Sequence, residues 1–139
     1  MADISVTAAQ VGLVFPERAE VYTFVAAETI TAGQAVYLNS SGKVGLADAN
    51  TSGKEQFRGI ALNGGGAGQS ISVLKAGHVY GFDLSGMAYD AIAYLSDTAG
   101  SLADAASATK TVYAGRVVPM SDSDLTKVLY IDADWRTNA

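Results

Sequence analysis

A chain with one histidine and no cysteine has few ways to do chemistry. The histidine is His78, in AGHVYG, with Asp83 and Ser85 close behind it. A Ser-His-Asp relay needs the imidazole held between a carboxylate and a nucleophile on a sharp turn. Nothing around Ser85 resembles such a turn, so His78 reads as a strand-edge or surface residue. Thiolate chemistry and disulfides are excluded, and a zinc site is close to excluded.

Two further stretches invite a chemical reading. Asn63–Gly68, NGGGAG, is glycine-rich like a phosphate cradle. It lacks the Gly-Lys-Ser/Thr ending and runs into SISVL, an alternating strand, where a phosphate loop needs a helix N-terminus. Ser121–Asp124, SDSD, places two carboxylates two residues apart. Calcium needs six or more oxygens, and neither the closing glutamate nor the turn glycine of a calcium loop follows. Paired carboxylates also serve glycoside hydrolysis, but those here fall in loops without the apolar setting that raises a pKa. The expectation is no catalytic residue, no metal and no cofactor.

The elements that would have to position any site are short strands. Gly33–Ala49, GQAVYLNSSGKVGLADA, is strand, turn and returning strand, with Gly42 supplying the positive φ that the turn asks for. Tyr89–Ala105, YDAIAYLSDTAGSLADA, repeats it with one residue fewer in the turn. The shift is 57 residues before the turn (Tyr37 to Tyr94) and 56 after it (Leu46 to Leu102, Gly59 to Gly115). A constant shift predicts a two-fold internal repeat over 21–75 and 78–131. Such self-similarity reports architecture rather than chemistry.

Strands are predicted over 21–26, 34–39, 43–47, 57–62, 70–74, 79–82, 92–96, 112–118 and 127–131, from period-2 alternation bounded by turn residues. Ala76-Gly77 is read as the connection between the halves. Apolar residues make up 49% of the chain and charged residues 17%, which sets it apart from disordered sequences. No long segment carries helical periodicity. The fold class expected is all-β, a compact sandwich or partly closed barrel built from two pseudo-repeats, with an extended N-terminal arm over 1–20 and a C-terminal tail over 133–139.

Charge and hydropathy narrow the partners. The nine basic residues are scattered and the formal charge is −5, so nucleic acid finds no electrostatic footprint. The N-terminus lacks the basic and apolar regions of a signal peptide. No apolar run approaches the ~20 residues that span a bilayer, so no membrane partner is expected.

At the ends of the chain, Phe15-Pro16-Glu17-Arg18 is a compact cluster in a segment with few turn signals. Pro16 holds Phe15 extended. The segment reads as an arm lying on another surface, as a first edge strand, or as a frayed terminus. Trp135, the only tryptophan, sits with Arg136 in a polar tail. Both types are enriched at interface hot spots. Phe15, Pro16, Glu17, Arg18, Trp135 and Arg136 are therefore the candidate interface residues.

The run ITAGQAVYLNSSGKVGLADA, followed by FRGIALNGGGAGQSISVL, resembles the capsid decoration (cement) proteins of tailed bacteriophages. The continuation GFDLSGMAYDAIAYLSDTAGSLADA and YAGRVVPMSD…KVLYID is similar, so the resemblance covers about residues 20–132. It implies a structural, non-enzymatic virion protein, made in the host cytoplasm. Such a protein binds the outer capsid surface and bridges neighbouring capsomers against the pressure of packaged DNA, commonly as a homotrimer. The implied partners are the major capsid protein and further copies of the chain, with the 1–18 arm reaching beyond the β domain. The alternative is a carbohydrate- or receptor-binding β module, since seven tyrosines and one tryptophan supply stacking surface. Most of those tyrosines fall in strands at core-like spacing, which favours packing.

Overall fold

The computed structural model describes residues 2–135. It is nearly all β, 43% strand and 4% helix. Ten strands follow in chain order: β1 (Gly12–Leu13), β2 (Glu20–Ala26), β3 (Ala35–Leu38), β4 (Lys43–Leu46), β5 (Phe57–Ala61), β6 (Ser70–Tyr80), β7 (Ile92–Leu95), β8 (Leu102–Ala103), β9 (Tyr113–Pro119) and β10 (Lys127–Asp132). Two single 3-10 turns, Ala8–Gln10 and Pro16–Arg18, flank β1. The hydrogen-bonded order is β2-β4-β3-β5-β6-β10-β9-β7-β8, with β1 on β6.

The first half closes on itself. β2 pairs antiparallel with β6 and parallel with β4, which turns β2-β4-β3-β5-β6 into a five-stranded barrel. Closure removes the free edges that a small sheet otherwise exposes. Its interior is filled by Ala26, Ile30, Val36, Val44, Ala61, Ile71 and Val73, small and β-branched side chains suited to a narrow lumen. Between the expected sandwich and barrel, the barrel is the outcome for this half.

The repeat is real in three dimensions. β5 slips on β3 between Val36 and Tyr37, and β9 slips on β7 between Ala93 and Tyr94. Val36 opposes Gly59, and Ala93 opposes Gly115. These are the same positions at the shifts found in the sequence, so even the bulge is duplicated. The hairpins differ in one respect. Leu46 lies opposite Val36, whereas Leu102 lies opposite Leu95, the counterpart of Leu38. The shorter second turn slides the return strand by two residues, and a slip of two keeps every side chain on its own face.

The strand expected to end near Leu74 does not end there. β6 runs through Ala76-Gly77 and serves both halves, its first part against β2 and its second against β10. Gly77 is a bend rather than a turn. Its φ of +149° and the approach of Ala19 (3.0 Å to an added Cβ) explain why a glycine stands there.

The N-terminal segment departs most from expectation. It does not extend away from the domain but completes the second half. β8 and the Gly81–Asp83 stretch stand apart, and residues 2–7 fill the gap. Ile4 N–H donates to Leu102 O at 2.8 Å, Thr7 N–H to Gly81 O at 2.8 Å, and Asp83 N–H to Ser5 O at 2.8 Å. Asp3 bridges Ala103 and Val6 bridges Phe82. Ile4 is buried in the main core, with Val11 and Leu13 packed against it. Of the readings open in the sequence, the edge strand is the one realised, because this segment pairs backbone that would otherwise be orphaned.

The two halves share that main core. Ala35, Phe57, Ile60 and Leu74 of the first half meet Leu95, Leu102, Val112, Ala114 and Ile131 of the second. Backbone bonds Ala35 N–H to Gly100 O and Gly100 N–H to Ala47 O, both 2.8 Å, stitch the same boundary.

Candidate interface

The expected interface residues sit as two clusters on opposite faces of β2, whose neighbouring side chains alternate. One is built on Phe15–Arg18. Pro16 opens a 3-10 turn, where its missing N–H costs nothing. Phe15 lays its ring edge-to-face against His78, centroids 5.2 Å apart. The Arg18 guanidinium stacks over Phe15 at 3.9 Å, a cation–π contact. Pro16, Glu17 and Arg18 point outward and are exposed, while Phe15 is half-buried. Beside Pro16 lies an apolar hollow of about 530 Å³ that takes in Leu13, Val21 and Leu62.

The second cluster is Trp135. After β10 the chain folds back at Trp135, whose indole N–H donates to Arg58 O at 2.9 Å and whose ring packs on Tyr22 with centroids 4.6 Å apart. Phe24 and the Lys75 ammonium complete the surround, at 6.2 Å and 5.6 Å. Tyr22 is braced by its hydroxyl on Glu20, which also pairs with Lys75. That hydrogen bond to a carboxylate, and then the carboxylate's charge, raise the Tyr22 pKa. Burial lowers the Arg58 pKa, with Asp134 opposing it. Trp135 is thus half-buried in an intramolecular seat. Arg136 lies outside the described residues.

His78 stands in mid-strand, not at an edge, between β10 and the β1 segment. Its ring lies between Phe15 and Tyr130, the latter 5.0 Å away, and Nδ1 is buried without a hydrogen-bond partner. Burial first, and the Arg18 charge second, lower its pKa. Asp83 and Ser85 bond to each other, Ser85 Oγ to Asp83 Oδ1 at 2.7 Å, in an exposed turn. That bond holds the Asp83 pKa below the ordinary carboxylate value. In the SDSD loop, Asp124 Oδ1 accepts from Thr126 Oγ1 at 2.7 Å, with the same effect on Asp124.

The sequence reading missed a third surface. The row Ala35–Ile60–Leu74 of the first half is fully buried. Its counterpart in the second half is Ile92–Arg116–Tyr130, which lies on the surface with Tyr113 beside it. Phe57 is 1% exposed, and its counterpart Tyr113 is 59% exposed. These four residues, with Gly115 and Asp132, line an open hollow of about 190 Å³. The pattern of repeats contained the signal: Phe57, Ile60 and Leu74 become Tyr, Arg and Tyr. Against the packing expected of the strand tyrosines, Tyr22, Tyr80, Tyr89 and Tyr113 are exposed.

The comparisons leave this geometry to be read on its own. No protein-family model matches the chain, and no curated protein or solved structure matches it.

Proposed function

We propose that this chain is a structural virion protein that binds the outer surface of a phage capsid and stabilises the head by bridging neighbouring capsomers. The resemblance in its hairpins and strand spacing suggests the role. The observation that carries it is the asymmetry between duplicated halves. The face formed by Ala35, Phe57, Ile60 and Leu74 is spent inside the molecule, and the equivalent face of the second half, with Tyr113, Arg116 and Tyr130, is left open. Tyrosine and arginine on an open sheet face are the residue types that anchor protein interfaces. The closed barrel and the shared core supply a rigid body on which such a face is displayed ready-made, which lowers the entropy cost of docking.

Bridging asks for several such faces at once. A stable interface buries about 1,200–2,000 Å² in total. Linking copies as a homotrimer makes the second and third contacts effectively intramolecular, so modest contacts add up to firm attachment. The exposed Pro16-Glu17-Arg18 turn offers a second contact on each copy. The role is non-enzymatic, with the major capsid protein and other copies of the chain as partners and the virion exterior as its place.

Co-sedimentation with undecorated phage heads, together with light scattering of the free protein, tests this reading. Wild-type protein is expected to pellet with heads, and Arg116→Glu with Tyr113→Ser to lose most of that binding while keeping its fold. A clean monomer that fails to bind heads overturns the proposal.

A further inference from the structure

We infer that His78 is the release point of a pH-sensitive strap: protonation of its imidazole loosens the Leu13–Arg18 segment from β6 and β10. Several of the strap's contacts with β6 meet at this residue. Val14 N–H donates to His78 O at 3.1 Å, Leu13 pairs with Val79 beside it, and Phe15 seats its ring against the imidazole. On the far side the imidazole rests on Tyr130 of β10. Beyond the strap, Ala19 lies against Gly77 and Glu20 enters β2.

The charged and titratable groups around the ring all act in one direction or not at all. Arg18 comes from the strap, stacked on the outer side of Phe15. Tyr130 comes from β10, and Arg116 is the next residue along that row. Glu17, also in the strap, is exposed. Among the described residues neither ion pair involves His78, so no carboxylate is in place to receive an imidazolium. A proton on Nδ1 would be a buried donor without an acceptor, close to a guanidinium, and such a group is costly. Undocking the strap lets both nitrogens reach water and moves Arg18 away.

The sign follows from linkage. Burial and Arg18 hold the docked imidazole below its ordinary value, so the undocked state binds the proton more readily. The docked strap is fully favoured above about pH 6.5 and loses ground as pH falls toward the docked value. Over that window the undocked fraction rises by up to about tenfold per pH unit. The response is readable because His78 is the only histidine. Histidine is the one side-chain type whose ordinary value falls in this window.

The test is hydrogen exchange of the full chain, corrected for the intrinsic pH dependence of exchange, alongside NMR titration of the single imidazole. Exchange at Val14, whose N–H bonds His78 O, is expected to speed up as pH falls from 7.5 to 5, following the imidazole, while β3 and β5 stay protected. In His78→Phe this pH dependence should vanish. Wild-type exchange without a pH step, an equal step in His78→Phe, or an imidazole titrating at or above 6.5 overturns the inference. Should His78→Phe fail to fold, Arg18→Gln tests the same device. The imidazole titration is expected to move up, with strap opening moving to the same pH. An unmoved titration, or opening that does not follow it, overturns the inference.

Discussion

Gly59 and Gly115 face the same obstacle in the two halves of the molecule. A Cβ on Gly59 would run into the carbonyl oxygen of Leu74, and one on Gly115 into that of Tyr130. Leu74 and Tyr130 are themselves 56 residues apart, as the two glycines are. Each glycine sits beside the duplicated bulge, where the neighbouring strand's backbone comes too close for any side chain.

Gly115→Ala is therefore expected to destabilise by about 1–3 kcal/mol or more, since the obstacle is backbone and cannot swing aside. Gly12→Ala is the control. Nothing lies within 4 Å of its added Cβ, and the change should stay within about 0.5 kcal/mol. Urea melts of both variants check the contrast, and equal midpoints would refute the shared-obstacle account.

Ile4→Ala should cost about 2–4 kcal/mol, the range for truncating a buried isoleucine. Removal of residues 2–7 should do more, and selectively. Hydrogen-exchange protection is expected to fall at Asp83 and Asp104, whose N–H groups donate to Ser5 O and Ala2 O, and to persist at Ile71 and Val73 in the barrel. Loss spread evenly over both halves would contradict that assignment. For the same reason, an N-terminal deletion is a poor probe of capsid contact, and substitutions at Glu17 or Arg18 are the cleaner ones.

Trp135→Phe keeps a ring on Tyr22 but loses the hydrogen bond to Arg58 O, at a cost of about 1 kcal/mol. Trp135→Ala removes the packing as well and should cost roughly 2 kcal/mol, less than for a fully enclosed tryptophan. The native fluorescence of this sole tryptophan should lie at shorter wavelength than in urea and shift together with the circular-dichroism transition. A red, solvent-like native spectrum would show that the tail is not seated.

The acid limb of stability should carry the marks of Asp83 and Asp124. Both carboxyls are held below the ordinary value by hydroxyl and backbone donors, Ser85 for one and Thr126 for the other. The native state therefore binds fewer protons than the unfolded chain. The stability gained is present above about pH 4 and is lost as pH falls through the depressed values. Ser85→Ala should raise the Asp83 titration and leave Asp124 where it is. Carboxyl-carbon NMR reads each directly, and an unmoved Asp83 would exclude Ser85 as the cause.

Much of the architecture was written locally. Alternation in VYTFVA, SISVL and KVLYID marks strands because a half-buried sheet sorts side chains with period two. The shift of 57 and 56 residues between Tyr37 and Tyr94 and between Leu46 and Leu102 marked the duplication down to its bulge. What misled was punctuation. In sequence Ala76-Gly77 reads as the connection between the halves, yet the positive φ of Gly77 bends a continuous strand there. Whether a given glycine turns or bends depends on what lies across from it, and that partner is remote in sequence.

By itself, then, the sequence determined most of the strands, the repeat and the absence of thiol chemistry, all of which rest on residue type and short-range spacing. Only the tertiary structure decided the rest. It closed the first half by laying β2 between β4 and β6, and it drew residues 2–7 into the second half. It also buried Phe57 and left Tyr113 open, although both occupy the same place in the repeat. Which copy of a duplicated face is covered depends on how the halves stack, and stacking is set by contacts between residues dozens of positions apart.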